Sequence, residues 1–282
     1  MKNKNLFKIL ILLIIIISSC KKNMTVPPDT PPIIKNYLHI SHTRTKTNPK
    51  MDSVIESINY KKFDMLWLGG DLTYHTSFDD ETMFHVDSIF DVGNVNTLWS
   101  IGNHDYTNID RIQSYTRRPL YYSYYKNRIT FIILDTQDSL SNIIGSQKEF
   151  FNSVVDTIQK SSYLIILHHK LIWMYDNPDL EPQISSVANG GFGNHFYSIN
   201  PNNFYTDIYP KLLEVKERGV EVICIAGDIG VKVKEFEYLT DEGIYFLASG
   251  ICADSSDNKG LLFYHNITDN QLDWEFILTT DL

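Results

Sequence analysis

The sequence predicts an α/β domain, and three observations support that fold class. Apolar runs of strand length alternate with helix-periodic segments throughout residues 36–282, which is typical of layered α/β folds. The main polar clusters follow directly after strand-like runs, at the sheet edge where such folds bind ligands. The segment is also long enough to bury the core of one α/β domain.

The strand predictions depend on short, mainly apolar runs, and the helix predictions on apolar residues three and four positions apart. Strands are predicted at 37–40, 65–68, 98–101, 121–125, 129–134, 163–167, 220–226, 244–249, 260–265 and 272–278. Helices are predicted at 51–58, 80–91, 147–159 and 207–218. The last helix is expected to end at Gly219, because glycine readily adopts the left-handed conformation that terminates helices. Residues 171–207 show no clear periodicity.

Residues 1–19 are predicted to be a lipoprotein signal peptide. Lysines at positions 2, 4 and 8 precede an apolar run at 9–17, which is shorter than the roughly 20 residues that a bilayer-spanning helix needs. Ile17-Ser18-Ser19-Cys20 resembles a bacterial lipobox. We therefore expect export, cleavage before Cys20, lipidation of its thiol and anchoring to a membrane of the bacterial cell envelope. The alternative is an ordinary signal peptide that happens to contain a cysteine.

Residues 20–35 are predicted to form a tether between the lipid anchor and a domain at 36–282. They are polar and proline-rich, a composition that cannot bury a core. The whole chain has a net charge of −9, and cleavage of the lysine-bearing leader would make the charge more negative. An acidic surface argues against nucleic acid as a partner.

Two strand ends punctuated by glycine carry the strongest chemical signal. The run at 65–68 ends in Gly69-Gly70-Asp71, and the run at 98–101 ends in Gly102-Asn103-His104-Asp105. Glycine lets the backbone approach an ion or a phosphate closely, and the polar side chains supply oxygen and nitrogen ligands. Asp71 as a helix N-cap is the alternative, but Asn103 at the same place on a second strand favours a shared site.

These motifs resemble the metallophosphoesterase (calcineurin-like phosphoesterase) family, in which GD and GNHD motifs close two strands. The order of elements is similar over 36–282, including Tyr122-Ser123-Tyr124 after the second motif. The resemblance implies a four-layer α-β-β-α sandwich. It also implies a hydrolase that cleaves phosphate esters with two bound metal ions.

The resemblance assigns one nearly complete metal site. Asp71 matches the bridging Asp, Asn103 matches the Asn of GNHD, and His168 matches a histidine after a fourth strand, with His169 as a substitute. Asp228 stands where the family has a histidine of a closing GHxH motif, and its carboxylate is still a competent ligand. These donors suit Mn²⁺, Fe²⁺ or Zn²⁺.

The other metal site of the family is altered in this chain. The expected Ser-Asp-x-His reads Ser41-His42-Thr43-Arg44, so His42 is a substitute ligand and Arg44 replaces a ligand outright. Gly230 replaces another ligand. We therefore expect one divalent ion, with two as the alternative. Arg44 is expected to place a fixed positive charge in the vacated position and to bind phosphate oxygens there.

The resemblance also implies catalytic roles for the second motif. His104 is expected to protonate the leaving group and Asp105 to orient it, although a lone histidine in a loop is more often simply solvated. The histidines at 168 and 169 have a simpler interpretation as core residues bonded to backbone. An aromatic loop could recognise substrate or pack on itself; it contains Trp173, Tyr175, Phe192, Phe196 and Tyr197.

The sequence thus predicts a lipid-anchored, metal-dependent phosphoesterase whose substrate is a phosphorylated small molecule or an envelope component. Its first rival is a non-catalytic binding module that kept the fold, which the altered first motif favours and the intact Gly102-Asn103-His104-Asp105 opposes. A further alternative is hydrolysis of a different bond on the same platform, because fold alone does not determine chemistry.

Overall fold

Two β-sheets pack face to face in the part of the chain that the computed structural model describes, residues 31–282. The predicted signal peptide and Cys20 lie outside the described residues. The strands are β1 (Ile34–Ile40), β2 (Met65–Leu68), β3 (Thr97–Trp99), β4 (Tyr122–Lys126), β5 (Ile129–Ile133), β6 (Tyr163–His168), β7 (Glu221–Ala226), β8 (Glu235–Leu239), β9 (Tyr245–Ser249), β10 (Lys259–Asn266) and β11 (Gln271–Leu278). One sheet has the order β11-β10-β1-β2-β3, and the other has the order β4-β5-β6-β7-β9-β8.

Helices cover the outer face of each sheet. They are α1 (Ser53–Ser57), α2 (Asp80–Phe90), α3 (Ile109–Thr116), α4 (Gly145–Thr157), α5 (Ile184–Val187) and α6 (Tyr209–Glu217). Short 3₁₀ turns lie at Tyr60–Lys62, Asp138–Ser141, Ile172–Met174, Glu181–Gln183 and Thr279–Asp281, and a π-helical turn at Phe204–Ile208 precedes α6. Within residues 31–282, none of the helices combines the length and the apolar character needed to cross a bilayer.

Three apolar layers hold the molecule together. Between the sheets, the Trp67 ring packs 5.1 Å from Phe131 and 4.8 Å from Phe263, measured between ring centroids. Residues of α2 such as Met83 bury against the outer face of the first sheet. Residues of α4 such as Phe151 bury against the outer face of the second. This arrangement confirms the four-layer α-β-β-α sandwich.

Strand direction brings the predicted motifs to one edge. β1, β2 and β3 are parallel, and so are β5, β6, β7 and β9. Because parallel strands end on the same side of their sheet, the residues after β2 and β3 lie together, as do those after β6 and β7.

The secondary structure differs from the prediction in a few places. Helix α3 and strand β8 were not predicted, and α1 is shorter than the periodic segment at 51–58. Strand β1 begins at Ile34, inside the predicted tether, and pairs with β10 from that residue onward.

Candidate active site

A cavity of about 200 Å³ lies at the edge where the motif-bearing strands end. Most of the residues predicted for the site line it, together with a loop from residues 189–197 that the motifs did not predict. The lining residues are His42, Arg44, Asp71, Asn103, His104, Asn189, Gly190, Tyr197, Asp228 and Val231.

Glycines allow the main chains to meet beneath this cavity. Gly70 has φ of +89°, and a Cβ there would lie 2.5 Å from the amide nitrogen of Gly102. A Cβ on Gly227 would lie 2.0 Å from the carbonyl oxygen of Gly69, so the two sheets are in backbone contact at this point. Glycine is required at these positions because any side chain would separate the strand ends that carry the polar residues.

Asp71 is the centre of the site and is almost fully buried. Its Oδ1 accepts a hydrogen bond of 2.9 Å from the backbone N–H of His104 and lies 3.6 Å from Nε2 of His169. Its Oδ2 lies 3.8 Å from Nε of Arg44 and 3.9 Å from Nε2 of His42. The carboxylate therefore faces a histidine on one side and a histidine–arginine pair on the other.

The histidine that faces the site is His169, so the prediction of His168 as the metal ligand is wrong. The Nδ1 of His169 donates to the Gly69 carbonyl at 2.7 Å, which leaves Nε2 as an unprotonated acceptor 3.6 Å from Asp71 and 3.9 Å from Asp228. His168 instead donates from Nδ1 to the Lys170 carbonyl at 2.6 Å. Successive residues along a strand point to opposite sides, and His169, the second of the two histidines, points toward the site.

Asp228 presents a second buried carboxylate, as predicted from its place in the altered closing motif. Its Oδ1 lies 3.9 Å from Nε2 of His169, and its Oδ2 has no hydrogen-bond partner within residues 31–282. Burial, followed by the charge of Asp71, raises the pKa of Asp228 well above its ordinary value. An unpartnered buried carboxylate is costly, and a nearby cation would remove that cost.

The donor set on this side of Asp71 fits one metal ion. The Nε2 of His169 and Oδ2 of Asp228 are buried acceptors without donors in the described structure, and Asn103 lines the same cavity. In residues 31–282, no group of three or more His, Cys, Asp and Glu side chains forms a ready-made metal cage. An ion held there would therefore use the amide oxygen of Asn103 beside Asp71, His169 and Asp228, a mixed set that suits Mn²⁺, Fe²⁺ or Zn²⁺.

The opposite side of Asp71 does not fit an ion, because both ring nitrogens of His42, the predicted substitute ligand, already have hydrogen-bond partners. The Nδ1 of His42 donates to the Ile251 carbonyl at 2.7 Å, and its Nε2 accepts a hydrogen bond of 3.2 Å from Nε of Arg44. Burial lowers the pKa of His42 to about 4, so the ring is neutral. Arg44 thus donates a hydrogen bond to the lone pair on Nε2 of His42, which is the lone pair that a metal ion would need. Its two Nη atoms donate no hydrogen bond within residues 31–282 and remain available to an anion.

The structure places His104 at the cavity but gives it a different partner from the one predicted. Its Nδ1 donates to the Tyr74 carbonyl at 2.6 Å, which leaves Nε2 for proton transfer. Asp105 does not orient this ring. Its carboxylate accepts the N–H groups of Asp71 at 2.8 Å, Leu72 at 3.1 Å and Gly102 at 2.8 Å, as well as the Thr76 hydroxyl. Asp105 is therefore a buried structural residue whose carboxylate links the backbones of both glycine motifs.

The sequence did not predict two features of the site, the Tyr74 carbonyl and Lys170, and it predicted the role of the aromatic loop only in part. It did not anticipate the Tyr74 carbonyl, because a backbone acceptor leaves no signature in the sequence. It passed over Lys170, a fully buried lysine next to His169 whose Nζ has no hydrogen-bond partner among the described residues. Burial lowers the pKa of Lys170 to about 8, against the opposing charges of Asp228, Asp135 and Asp71.

The predicted aromatic loop divides between packing and the site. Trp173 is fully buried and stacks on Phe246 at 5.1 Å, and Tyr175 stacks on Phe192 at 5.8 Å. Tyr197 alone among the five lines the cavity. Packing is therefore observed for Trp173, Tyr175 and Phe192, and a role of Tyr197 in recognising substrate stays a prediction.

Comparison with known protein families gives one match. The sequence model of calcineurin-like phosphoesterases matches residues 38–184, more than half of the chain. No curated protein matches the chain in sequence.

Solved structures are similar to this chain at low sequence identity. A dimetal phosphatase from Danio rerio is 11% identical with a TM-score of 0.52, and the match covers 88% of this chain and 97% of that one. An NAD nucleotidase from Haemophilus influenzae is 13% identical with a TM-score of 0.41, and the match covers 86% of this chain and 49% of that one. The family match over residues 38–184 and the shared sandwich architecture show that this chain belongs to the calcineurin-like phosphoesterase family.

Proposed function

We propose that the protein is a metal-dependent phosphoesterase that hydrolyses a phosphate mono- or diester with one divalent ion, while Arg44 replaces the other ion of the family. The observation that carries this proposal is the asymmetry around Asp71. The free acceptors of His169 and Asp228 lie on one side of its carboxylate, and the guanidinium of Arg44 lies on the other. Membership of the family implies use of a divalent metal.

Asp71, Asn103, His169 and Asp228 would hold the ion. A divalent ion in that position supplies positive charge that polarises the phosphoryl group and lowers the pKa of a water molecule. Arg44 presents two Nη atoms in the planar geometry that binds two phosphoryl oxygens. Its charge stabilises the negative charge that develops on those oxygens in the transition state.

His104 completes the proposed reaction. The Tyr74 carbonyl fixes the ring through Nδ1, so that Nε2 faces the cavity. When both ring nitrogens carry protons, Nε2 donates one to the leaving-group oxygen as the ester bond breaks. The backbone N–H of His104 also holds Asp71 at 2.9 Å, so the acid and the central carboxylate are fixed together.

We also propose that the enzyme acts in the bacterial cell envelope, attached through lipidated Cys20. The sequence Ile17-Ser18-Ser19-Cys20 and the proline-rich segment that follows support this location. A phosphorylated small molecule or an envelope component would then be the substrate. Labelling with a radioactive fatty acid tests the anchor, and Cys20→Ser should abolish the label and release the protein from membranes.

A non-catalytic binding module is the second candidate, because Arg44 and His42 block the first metal position. The test is release of phenol from phenyl phosphate and from diphenyl phosphate by protein loaded separately with Mn²⁺, Fe²⁺ or Zn²⁺. Turnover with at least one metal that Asn103→Ala abolishes supports the enzyme. Binding of inorganic phosphate without turnover under all three conditions supports the binding module.

A further inference from the structure

Aromatic rings lie close to His104, and one of them, Tyr197, lines the cavity. The Tyr74 ring lies 5.8 Å from the His104 ring, and the Tyr197 ring lies 6.2 Å from it. The His75 ring lies 4.5 Å from the Tyr74 ring and 6.0 Å from the His104 ring. Two tyrosine rings therefore lie near the imidazole of the proposed acid.

The ring of Tyr197 is held in place by its loop. A Cβ on Gly190 would lie 1.9 Å from the Tyr197 carbonyl oxygen, so the two strands of the loop touch at this point. The Ser198 hydroxyl donates to the Gly190 carbonyl at 3.2 Å, and the N–H of Asn189 donates to the Asp228 carbonyl at 3.0 Å. The loop is thus fastened both across itself and to the site.

Tyr74 is fastened in the same way from the other side. Its carbonyl accepts the proton of His104 Nδ1, and the N–H of Thr76 donates back to the His104 carbonyl at 2.9 Å. The N–H of His75 donates to the Asn48 side chain at 2.8 Å. The main chain that carries the Tyr74 ring is therefore anchored directly to the acid.

These two rings are exposed although the cavity beside them is buried and polar. Tyr197 is 57% exposed and Tyr74 is 38% exposed. Core packing does not explain large rings that remain open to solvent at the entrance of a charged cavity, and neither hydroxyl is hydrogen bonded within residues 31–282. Aromatic rings of this kind supply rigid faces on which planar groups stack.

We propose that the enzyme takes phosphate esters whose leaving group carries a planar aromatic ring, which stacks on Tyr197 and Tyr74. The inference rests on the proposed function, because the general acid marks where the leaving-group oxygen must lie. In the proposed function Arg44 and the carboxylate side of the cavity hold the phosphoryl group, so the rest of the substrate would extend past His104 toward the two tyrosines. Both an aryl group bonded directly to the ester oxygen and a nucleobase carry the required flat face.

Binding of non-hydrolysable analogues tests this inference without turnover. Benzylphosphonate and cyclohexylmethylphosphonate have nearly the same size and charge, and only the first is flat. We expect the Mn²⁺-loaded protein to bind benzylphosphonate about three- to tenfold more tightly in calorimetry, the range typical of aromatic pairing. Tyr197→Leu should reduce this preference strongly, Tyr197→Phe should keep it, and the double variant with Tyr74→Leu should remove it.

The control variant is Tyr125→Leu, which removes a 54% exposed tyrosine from β4, outside the cavity lining. It should bind both phosphonates as the wild type does. Methylene-phosphonate analogues of adenosine 5′-phosphate and ribose 5-phosphate form a second pair. A preference for the adenosine analogue that Tyr197→Leu removes identifies a nucleobase, and a preference confined to benzylphosphonate identifies an aryl ester.

Equal binding of the flat and the saturated phosphonates by the wild type overturns the inference, as does a preference that survives in the double variant. The proposed function then still stands if inorganic phosphate binds and Arg44→Met abolishes that binding. If neither inorganic phosphate nor any phosphonate binds, the phosphate site itself is absent and both proposals fail.

Discussion

The Nε atom of Arg44 lies 3.8 Å from Oδ2 of Asp71, while the same Nε donates to His42 at 3.2 Å. A permanent cation therefore faces the carboxylate that, by resemblance to the family, would bridge two metal ions. Unlike a metal, a guanidinium is never lost to chelators and provides no acidified water. In the proposed function, charge stabilisation would thus be divided between a fixed group of the chain and one exchangeable ion.

Replacing Arg44 should reduce catalysis without removing the metal. Arg44→Met is expected to lower kcat/KM for phenyl phosphate by about 100-fold or more, because a charged partner of the transition state is lost. Arg44→Lys should recover only part of this, since an ammonium cannot bind two oxygens in a planar fork. Steady-state kinetics and metal analysis of the same preparations check this, with exposed Lys50→Met as control. Loss of the bound ion in Arg44→Met would contradict the assignment.

His104 should matter most for poor leaving groups. His104→Asn removes the proton donor, so turnover of phenyl phosphate should fall by about 100- to 10,000-fold. Turnover of p-nitrophenyl phosphate should fall far less, because its leaving group departs without a proton. Parallel kinetics on the two esters measure the difference, and His195→Asn in the exposed loop is the control. Equal losses on both esters would show that His104 acts in some way other than as an acid.

Metal retention should distinguish the two adjacent histidines. His169→Ala removes the imidazole that faces Asp71 and Asp228, so metal affinity should drop by more than the roughly 10- to 100-fold typical of outer-shell changes. His168→Gln should keep about one ion per chain, since that ring bonds to the Lys170 carbonyl instead. Metal content measured by mass spectrometry after gel filtration gives the answer. The reverse pattern would restore His168 as the ligand.

Acid should destabilise the fold through His39. This histidine is fully buried beside the Ser249 hydroxyl at 2.8 Å, and burial, with the charge of His168, lowers its pKa to about 3. The unfolded chain, with a pKa of about 6.5, takes up the proton first, so the stability that neutral His39 contributes is complete above that pH and is lost toward pH 3. By pH 5 the loss should be about 2 kcal/mol.

Urea unfolding at pH 7 and pH 5 measures this contribution. His39→Gln should lower the difference in unfolding free energy between the two pH values by about 2 kcal/mol. His195→Gln, which changes an exposed histidine, should leave that difference as it is in the wild type. An unchanged difference in His39→Gln would show that His39 does not couple folding to protonation.

Asp105 should behave as a structural residue. Asp105→Ala leaves the N–H groups of Asp71, Leu72 and Gly102 without their acceptor in a buried place. We expect a loss of about 2–4 kcal/mol in the free energy of unfolding. Chemical denaturation measures this loss, with the exposed Asp241→Asn as control. A normal unfolding free energy combined with a large fall in kcat would return Asp105 to a purely catalytic role.

The sequence was sufficient to predict the layers of the fold and most of the site residues that follow the strands. Gly69-Gly70-Asp71 and Gly102-Asn103-His104-Asp105 predicted where the backbone must approach closely, and the structure places Asp71, Asn103 and His104 at one cavity. Strand β8 was not predicted, although Glu235, Phe236, Glu237 and Tyr238 alternate between exposed and half-buried positions.

The sequence could not show whether His168 or His169 faces the site, and the reason is physical. In β6, residues 164–167 are all apolar and buried on both faces, so the sequence contains no alternation that tells which side the next residue takes. The structural role of Asp105 was equally unpredictable from the sequence, because its partners are backbone N–H groups.

The contact between Gly69 and Gly227 has a consequence for how this site evolves. Because the two sheets touch main chain to main chain there, the spacing of the strand ends is independent of which side chains they carry. Relative to the family pattern, Asp228 can replace a histidine and Arg44 can replace a metal ligand while the gap between the strand ends keeps its width. Altered motifs in this chain are thus compatible with an intact frame, and chemistry can change one residue at a time.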